Sequence, residues 1–75
     1  MTSVHVEVDA RGLMCPLPLL RLKMALKEMA PGEVVRVLAT DPAAHLDLGV
    51  FVEQAGHQRI AFDVEGDVSI FIIRK

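Results

Sequence analysis

Cys15 carries the most reactive side chain in this sequence, and it is the only cysteine of the 75-residue chain. One cysteine cannot form an internal disulfide, nor by itself a cysteine-rich zinc site, so its chemistry requires a substrate or a second molecule. It lies in the segment GLMCPLP, residues 12–18, in front of an apolar stretch with helical periodicity. A thiolate at such a junction would be a nucleophile toward a substrate or toward a second molecule.

The residues around Cys15 predict the N-terminus of a helix. A residue before proline avoids helical angles and proline suits the first helical position, so Cys15 is the predicted N-cap and Pro16 the first helical residue. The unpaired amides of a first turn and the helix dipole favour an anion and lower a cysteine pKa. Pro16 and Pro18 lack an N–H. We therefore expect the hydrogen-bond donors to the anion to be the amides of Leu17, Leu19 and Leu20.

The other candidate residues have simpler structural explanations. Arg21 and Lys23 could add positive potential near the thiol or meet an acidic partner, but a solvated helix face explains them as well. Asp41 is a predicted N-cap before it is a functional acid. Cysteine itself is often a small buried hydrophobic residue, so a reactive and a structural Cys15 both remain open. The three histidines are scattered without the spacing of a metal site.

The periodicity of the chain predicts the element order β-α-β-α-β-β. Valines alternate with polar residues over 4–9, and residues 16–30 carry an apolar stripe at helical spacing, followed by a valine-rich strand over 33–40. A second helix opens at Asp41-Pro42, with Leu46, Val50 and Phe51 expected to face inward, and ends at Gly56. The remainder is a hairpin that turns at residues 66–67.

This order predicts a two-layer α/β (α+β) sandwich in a single domain spanning residues 1–75. Helices between strands imply crossover connections, so strands one to three are expected to be parallel and the last antiparallel. Two helices can cover only one face of such a sheet, which leaves the other face partly open. The composition, 52% hydrophobic, supplies enough apolar material for a packed core.

Charge and hydropathy disfavour several classes of function. A net charge of −2 does not suit a protein that grips nucleic acid, so no direct nucleic-acid partner is expected. No signal-peptide pattern and no apolar run of membrane-spanning length occurs, so we expect a cytoplasmic protein with no membrane partner. Nothing in the sequence requires an oligomer, so we expect a monomer. Nothing in it requires a metal ion or an organic cofactor, so we expect neither.

Several segments in one order resemble the TusA/SirA-like family of small sulfur-transfer proteins. They are the Cys-Pro-x-Pro motif within LMCPLP (residues 13–18), PGE (31–33), DPA (41–43) with Asp47, and the closing IIRK (72–75). The resemblance runs from about Val8 to the end of the chain. It implies a four-stranded mixed sheet of order 1-2-4-3, with both helices on one face.

The resemblance also implies a function. Cys15 would accept sulfane sulfur as a persulfide from a donor such as a cysteine desulfurase or a rhodanese, with Pro16, Leu17, Pro18 and Leu19 forming the persulfide's environment. An acceptor protein would receive the sulfur for tRNA thiolation, sulfur oxidation or cofactor biosynthesis. Arg21, Lys23 and Asp41 would contact partners. Such a protein is a sulfurtransferase only in the presence of its partners.

Two rival functions remain open at this point. In one, the chain is a non-catalytic interaction module, with Cys15 a structural cap and the apolar residues Leu17, Leu20 and Met24 a docking patch. In the other, the chain is a redox sensor in which Cys15 forms a mixed disulfide or a sulfenic acid. The absence of a second, resolving cysteine counts against the sensor.

Overall fold

The structure, a computed structural model, describes residues 3–75. Its elements follow the predicted order: β1 (Val6–Ala10), α1 (Leu17–Glu28), β2 (Val34–Ala39), α2 (Ala44–Ala55), β3 (Gln58–Glu65) and β4 (Val68–Arg74). Each of the two predicted helices begins later than its sequence pattern suggested. No helix among the described residues has the length and hydropathy needed to cross a membrane.

The four strands form one mixed sheet with the order β1-β2-β4-β3. β1 pairs with β2 in parallel, and β4 pairs antiparallel with both β2 and β3. β3 therefore runs in the same direction as β1 and β2, and the predicted directions and sheet order are confirmed. This topology places the carboxyl ends of the neighbouring strands β1 and β2 side by side, where Ala10 is paired with Ala39.

One face of the sheet carries the hydrophobic core, and both helices pack against it. Phe71 and Ile73 of β4 are fully buried at its centre together with Val35 and Val37 of β2. α1 contributes Leu22 and Leu26, and the C-cap residue Met29 continues their stripe at helical spacing, as the periodicity predicted. The opposite face carries the exposed Glu7–Arg36 ion pair between β1 and β2, so the sandwich has two layers.

The predicted inward face of α2 is wrong. Leu46 is 70% exposed and Val50 44% exposed, whereas Ala44, Leu48 and Val52 are buried. The buried residues are spaced four apart, which forms a continuous stripe along one side of a helix. Apolar residues occur on several sides of α2, and the small Ala44 is buried whereas the larger Leu46 is exposed, so residue size did not identify the packed side. Phe51 is half-buried against the core.

Candidate functional site

Cys15 lies where two loops meet at the carboxyl end of the sheet. The first loop joins β1 to α1, and the second joins β2 to α2; their strands are parallel neighbours, so both helices start from the same edge. The backbone amide of Gly12 donates to the Thr40 hydroxyl at 2.9 Å and links the two loops. Gly12 has a φ of 80°, a left-handed value that favours glycine and turns the chain toward α1.

The start of α1 differs from the prediction by one residue. The helix begins at Leu17 with Pro16 as its N-cap residue, and the Cys15–Pro16 peptide bond is cis. The Leu17 amide donates to the Met14 carbonyl at 2.8 Å, so Cys15 lies in a turn that precedes the helix. Pro18 occupies the second helical position, where a missing N–H costs nothing, and its side chain is buried.

Not all of the amides predicted to face the sulfur are free to do so. Of the three expected donors, Leu17 is engaged by Met14, and the amide of Leu20 donates to the Pro16 carbonyl at 3.1 Å to begin the helical ladder. Within the predicted persulfide environment, Pro16 and Leu17 are exposed and Leu19 is half-buried against the core. The role of these residues toward a persulfide stays a prediction.

Two carboxylates contact Cys15 in place of those amides. Its thiol donates to Asp47 Oδ2, with Sγ 2.7 Å from that oxygen, and its backbone amide donates to Asp41 Oδ2. Asp47 is half-buried in the first turn of α2, where the helix dipole favours negative charge. Cys15 as a residue is solvent-exposed. The residue that accepts the thiol proton thus lies on the second helix, and the residue that accepts the Cys15 amide lies in the loop before that helix.

These contacts set the ionisation of the thiol. The hydrogen bond to Asp47 raises the pKa of Cys15 above its ordinary value, and loss of hydration and the negative charges of Asp47 and Asp41 act in the same direction. A hydrogen bond donated to a carboxylate stabilises the protonated thiol, and a nearby negative charge disfavours a thiolate. The expected lowering of the pKa by the helix terminus is therefore wrong in the free protein.

Asp41 organises the junction but is not the N-cap of α2. The helix begins at Ala44 after the N-cap residue Ala43. The Asp41 side chain accepts the Ala43 amide at 3.0 Å through Oδ1 and the Cys15 amide through Oδ2. One carboxylate thereby connects the entrances of both helices. Its predicted contact with partners stays a prediction.

Among the described residues, neither Arg21 nor Lys23 of α1 forms a hydrogen bond with Cys15. Arg21 is exposed and forms no ion pair with the residues that the structure describes. Lys23 Nζ lies 5.3 Å from the centroid of the Phe51 ring on α2, within the range of a cation–π contact. Neither side chain is a hydrogen-bond partner of Cys15, so any role in partner binding is exerted through the surface beside the thiol.

A shallow groove of about 550 Å³ lies between α1 and Phe51 of α2, and it extends to Lys75 at the carboxyl end of α1. Its apolar lining includes Leu20, Met24 and Phe51, and basic side chains surround it: Lys23, Lys27, Lys75 and His57. Met24 is 65% exposed. We refer to these residues as the basic groove; it contains part of the apolar patch that the sequence suggested.

Asp47 and Thr40 are the site residues that pattern reasoning missed. In the sequence analysis Asp47 was only one of the residues that carry the family resemblance, and no role was predicted for it. A signal was present, since an acid in the first turn of the helix after a neighbouring parallel strand faces the same sheet edge as Cys15. The part of the chain from residue 3 onward contains no group of three or more His, Cys, Asp or Glu that could hold a metal ion.

Comparisons with known proteins agree with this architecture. The family model described as Sulfurtransferase TusA matches residues 6–75. The chain is 41% identical to "Sulfur carrier protein TusA" of Allochromatium vinosum, with 100% of this chain and 99% of that protein covered. It is 36% identical to "Sulfur carrier protein TusA" of Pseudomonas aeruginosa, with 97% and 92% covered.

A solved structure shows the same fold. The crystal structure of the SirA-like protein from Desulfitobacterium hafniense superposes with a TM-score of 0.83 at 30% identity, covering 93% of this chain and 96% of that one. Family model, relatives and structure agree over nearly the whole length, and the chain belongs to the TusA family.

Proposed function

We propose that this protein is a sulfur carrier that holds sulfane sulfur as a persulfide on Cys15 and transfers it between partner proteins. The observation that carries the proposal is an exposed thiol, the only one in the chain, which hydrogen bonds to Asp41 and Asp47 hold at the carboxyl edge of the sheet. The names of the TusA relatives support the same role.

The proposed reaction is an exchange without net oxidation. Sγ of Cys15 attacks the outer sulfur of a donor persulfide, R–S–SH, and a new sulfur–sulfur bond forms while the bond between the donor's two sulfurs breaks. The electron pair of that bond leaves on the donor thiolate, which takes up the proton lost by the Cys15 thiol. The products are Cys15–S–SH and R–SH, and the same step in reverse sense delivers the sulfur to an acceptor thiol.

The exposure of the thiol defines the class of partner. Cys15 is exposed at the surface, where the loop after β1 meets the loop after β2. A donor such as a cysteine desulfurase or a rhodanese must therefore bring its own persulfide to the thiol. Lys23 and Lys27 line the basic groove and favour an acidic partner surface. We include Arg21 and Asp41 among the residues that would contact a partner. We place this exchange in the cytoplasm and assign the acceptor to tRNA thiolation, sulfur oxidation or cofactor biosynthesis.

Cyanolysis tests the proposal chemically. The protein is incubated with a rhodanese and thiosulfate, freed of both, and treated with cyanide, which converts sulfane sulfur to thiocyanate. We expect one thiocyanate per chain from the wild type and none from Cys15→Ser. A loaded wild type that releases no thiocyanate would contradict a persulfide and would favour the redox sensor, because a sulfenic acid or mixed disulfide contains no sulfane sulfur.

A non-catalytic interaction module is the second candidate function, and the basic groove favours it. Exposed Leu20 and Met24 beside lysines form a surface that could bind an acidic, amphipathic segment without any chemistry at Cys15. Partner binding that is unchanged in Cys15→Ser and lost in Met24→Glu, combined with no transferable sulfur, would establish this function in place of the carrier.

A further inference from the structure

The contact between Cys15 and Asp47 is the least expected feature of the site. A reactive cysteine is usually found near cations, free amides or a histidine, which stabilise its thiolate. Here Asp47 Oδ2 lies 2.7 Å from Sγ, and the two residues are 32 positions apart on different elements. A carboxylate has no proton to donate when ionised, so the thiol must supply the proton of this hydrogen bond.

The charges that face the thiol come from two elements and share one sign. Asp47 approaches from α2, and Asp41 approaches from the loop between β2 and α2. On α1, Lys23 is directed to the Phe51 ring, and Arg21 forms no ion pair with any described residue. The immediate surroundings of Sγ are therefore acidic although basic residues follow it on its own helix.

We propose that Asp47 is a positioning residue that keeps Cys15 a neutral, aimed thiol in the free carrier. The proposal rests on the proposed function of Cys15, because it assigns a resting state to the sulfur-accepting group. A neutral thiol is a poor nucleophile. An exposed carrier cysteine held in this way resists alkylation and oxidation between encounters, and it becomes a thiolate only when a docked donor changes the surroundings of the carboxylate.

Direct titration of the thiol tests this inference without any sulfur donor. The chain contains no Tyr and no Trp, so the ultraviolet absorbance of the thiolate can be followed to high pH without interference from phenolate. We expect wild-type Cys15 to titrate above the ordinary thiol value of 9.0. A wild-type pKa at or below that value would overturn the proposal whatever the variants do.

Alkylation by iodoacetamide at pH 7 gives the second readout. Asp47→Asn preserves the size of the side chain and removes its charge, so the thiol pKa should fall and alkylation should accelerate. For each unit of lowered pKa the thiolate fraction rises tenfold, while nucleophilicity falls with a Brønsted coefficient of about 0.4–0.5, which leaves a gain of about three- to fourfold. Asp47→Glu should restore a slow rate because it returns the carboxylate.

Glu53→Gln is the matched control, since Glu53 is an exposed acid on the same helix and makes no side-chain hydrogen bond among those described. It should titrate and alkylate as the wild type does. Equal pKa and alkylation rate in Asp47→Asn and wild type, with both folded by circular dichroism, would reduce Asp47 to a structural residue. These readouts do not depend on sulfur transfer, so failure of this inference and failure of the carrier function can be told apart.

Discussion

Replacement of Asp41 by alanine should loosen the Cys15 loop from the entrance of α2. The Asp41 carboxylate accepts the Ala43 amide at 3.0 Å and the Cys15 amide, so the variant loses two hydrogen bonds to a charged group. Such bonds contribute about 1.5–3 kcal/mol each when buried. Asp41 is half-exposed and water can replace part of this interaction, so we expect a net loss of about 1.5 kcal/mol.

Thermal unfolding followed by circular dichroism measures this effect. In a domain of this size a loss of 1 kcal/mol lowers Tm by about 4–8 °C, so Asp41→Ala should melt about 6–12 °C below the wild type. Glu53→Ala removes an acid from α2 without a described side-chain hydrogen bond and should change Tm little. The thiol pKa should also fall in Asp41→Ala, by less than in Asp47→Asn, because Asp41 raises that pKa through its charge alone whereas Asp47 also accepts the thiol proton. An unchanged Tm would refute the assigned role of Asp41 at the junction.

Three further predictions concern stability. Leu22→Ala should lower the free energy of unfolding, measured by urea denaturation, by about 3–5 kcal/mol, because Leu22 on the packed side of α1 is fully buried. Lys75→Met should cost about 1–2 kcal/mol, since Lys75 Nζ donates to the carbonyls of Leu26 and Met29 at the carboxyl end of α1. The folded state holds the Cys15 proton more tightly than the unfolded state, so its contribution to stability is complete below the unfolded pKa. That contribution should disappear as pH rises through the folded pKa, and Cys15→Ala should not show this alkaline loss.

The fold was predictable because local patterns agreed with one another. The valines of β1 alternate with the period of a strand, and the leucines of α1 recur with the period of a helix. The structure confirms both elements, and it confirms the turn at residues 66–67 between β3 and β4. The crossover argument gave the strand directions, whereas the sheet order came from the resemblance and not from any pattern. The inward face of α2 was wrong because apolar residues occur on several of its sides, so only packing selects the buried stripe of Ala44, Leu48 and Val52.

The environment of the thiol was harder to predict for a physical reason. The position of Cys15 before a proline and a helix identified it as the candidate reactive residue. The N-terminus of a helix, however, indicates only which charge the amides of that helix favour. The deciding neighbours, Asp41 and Asp47, lie 26 and 32 positions away in sequence and reach the thiol through the pairing of β1 with β2. An electrostatic prediction from one helix therefore gave the wrong direction for the pKa of Cys15.

The most direct test of the carrier function is the intact mass of the protein after incubation with a cysteine desulfurase and cysteine, measured for the wild type and Cys15→Ser. The carrier function predicts a gain of about one sulfur atom in the wild type, reversed by reductant and absent from the variant. No gain with this donor, with a rhodanese and thiosulfate, or with glutathione persulfide would contradict it and leave the interaction module as the function of this chain.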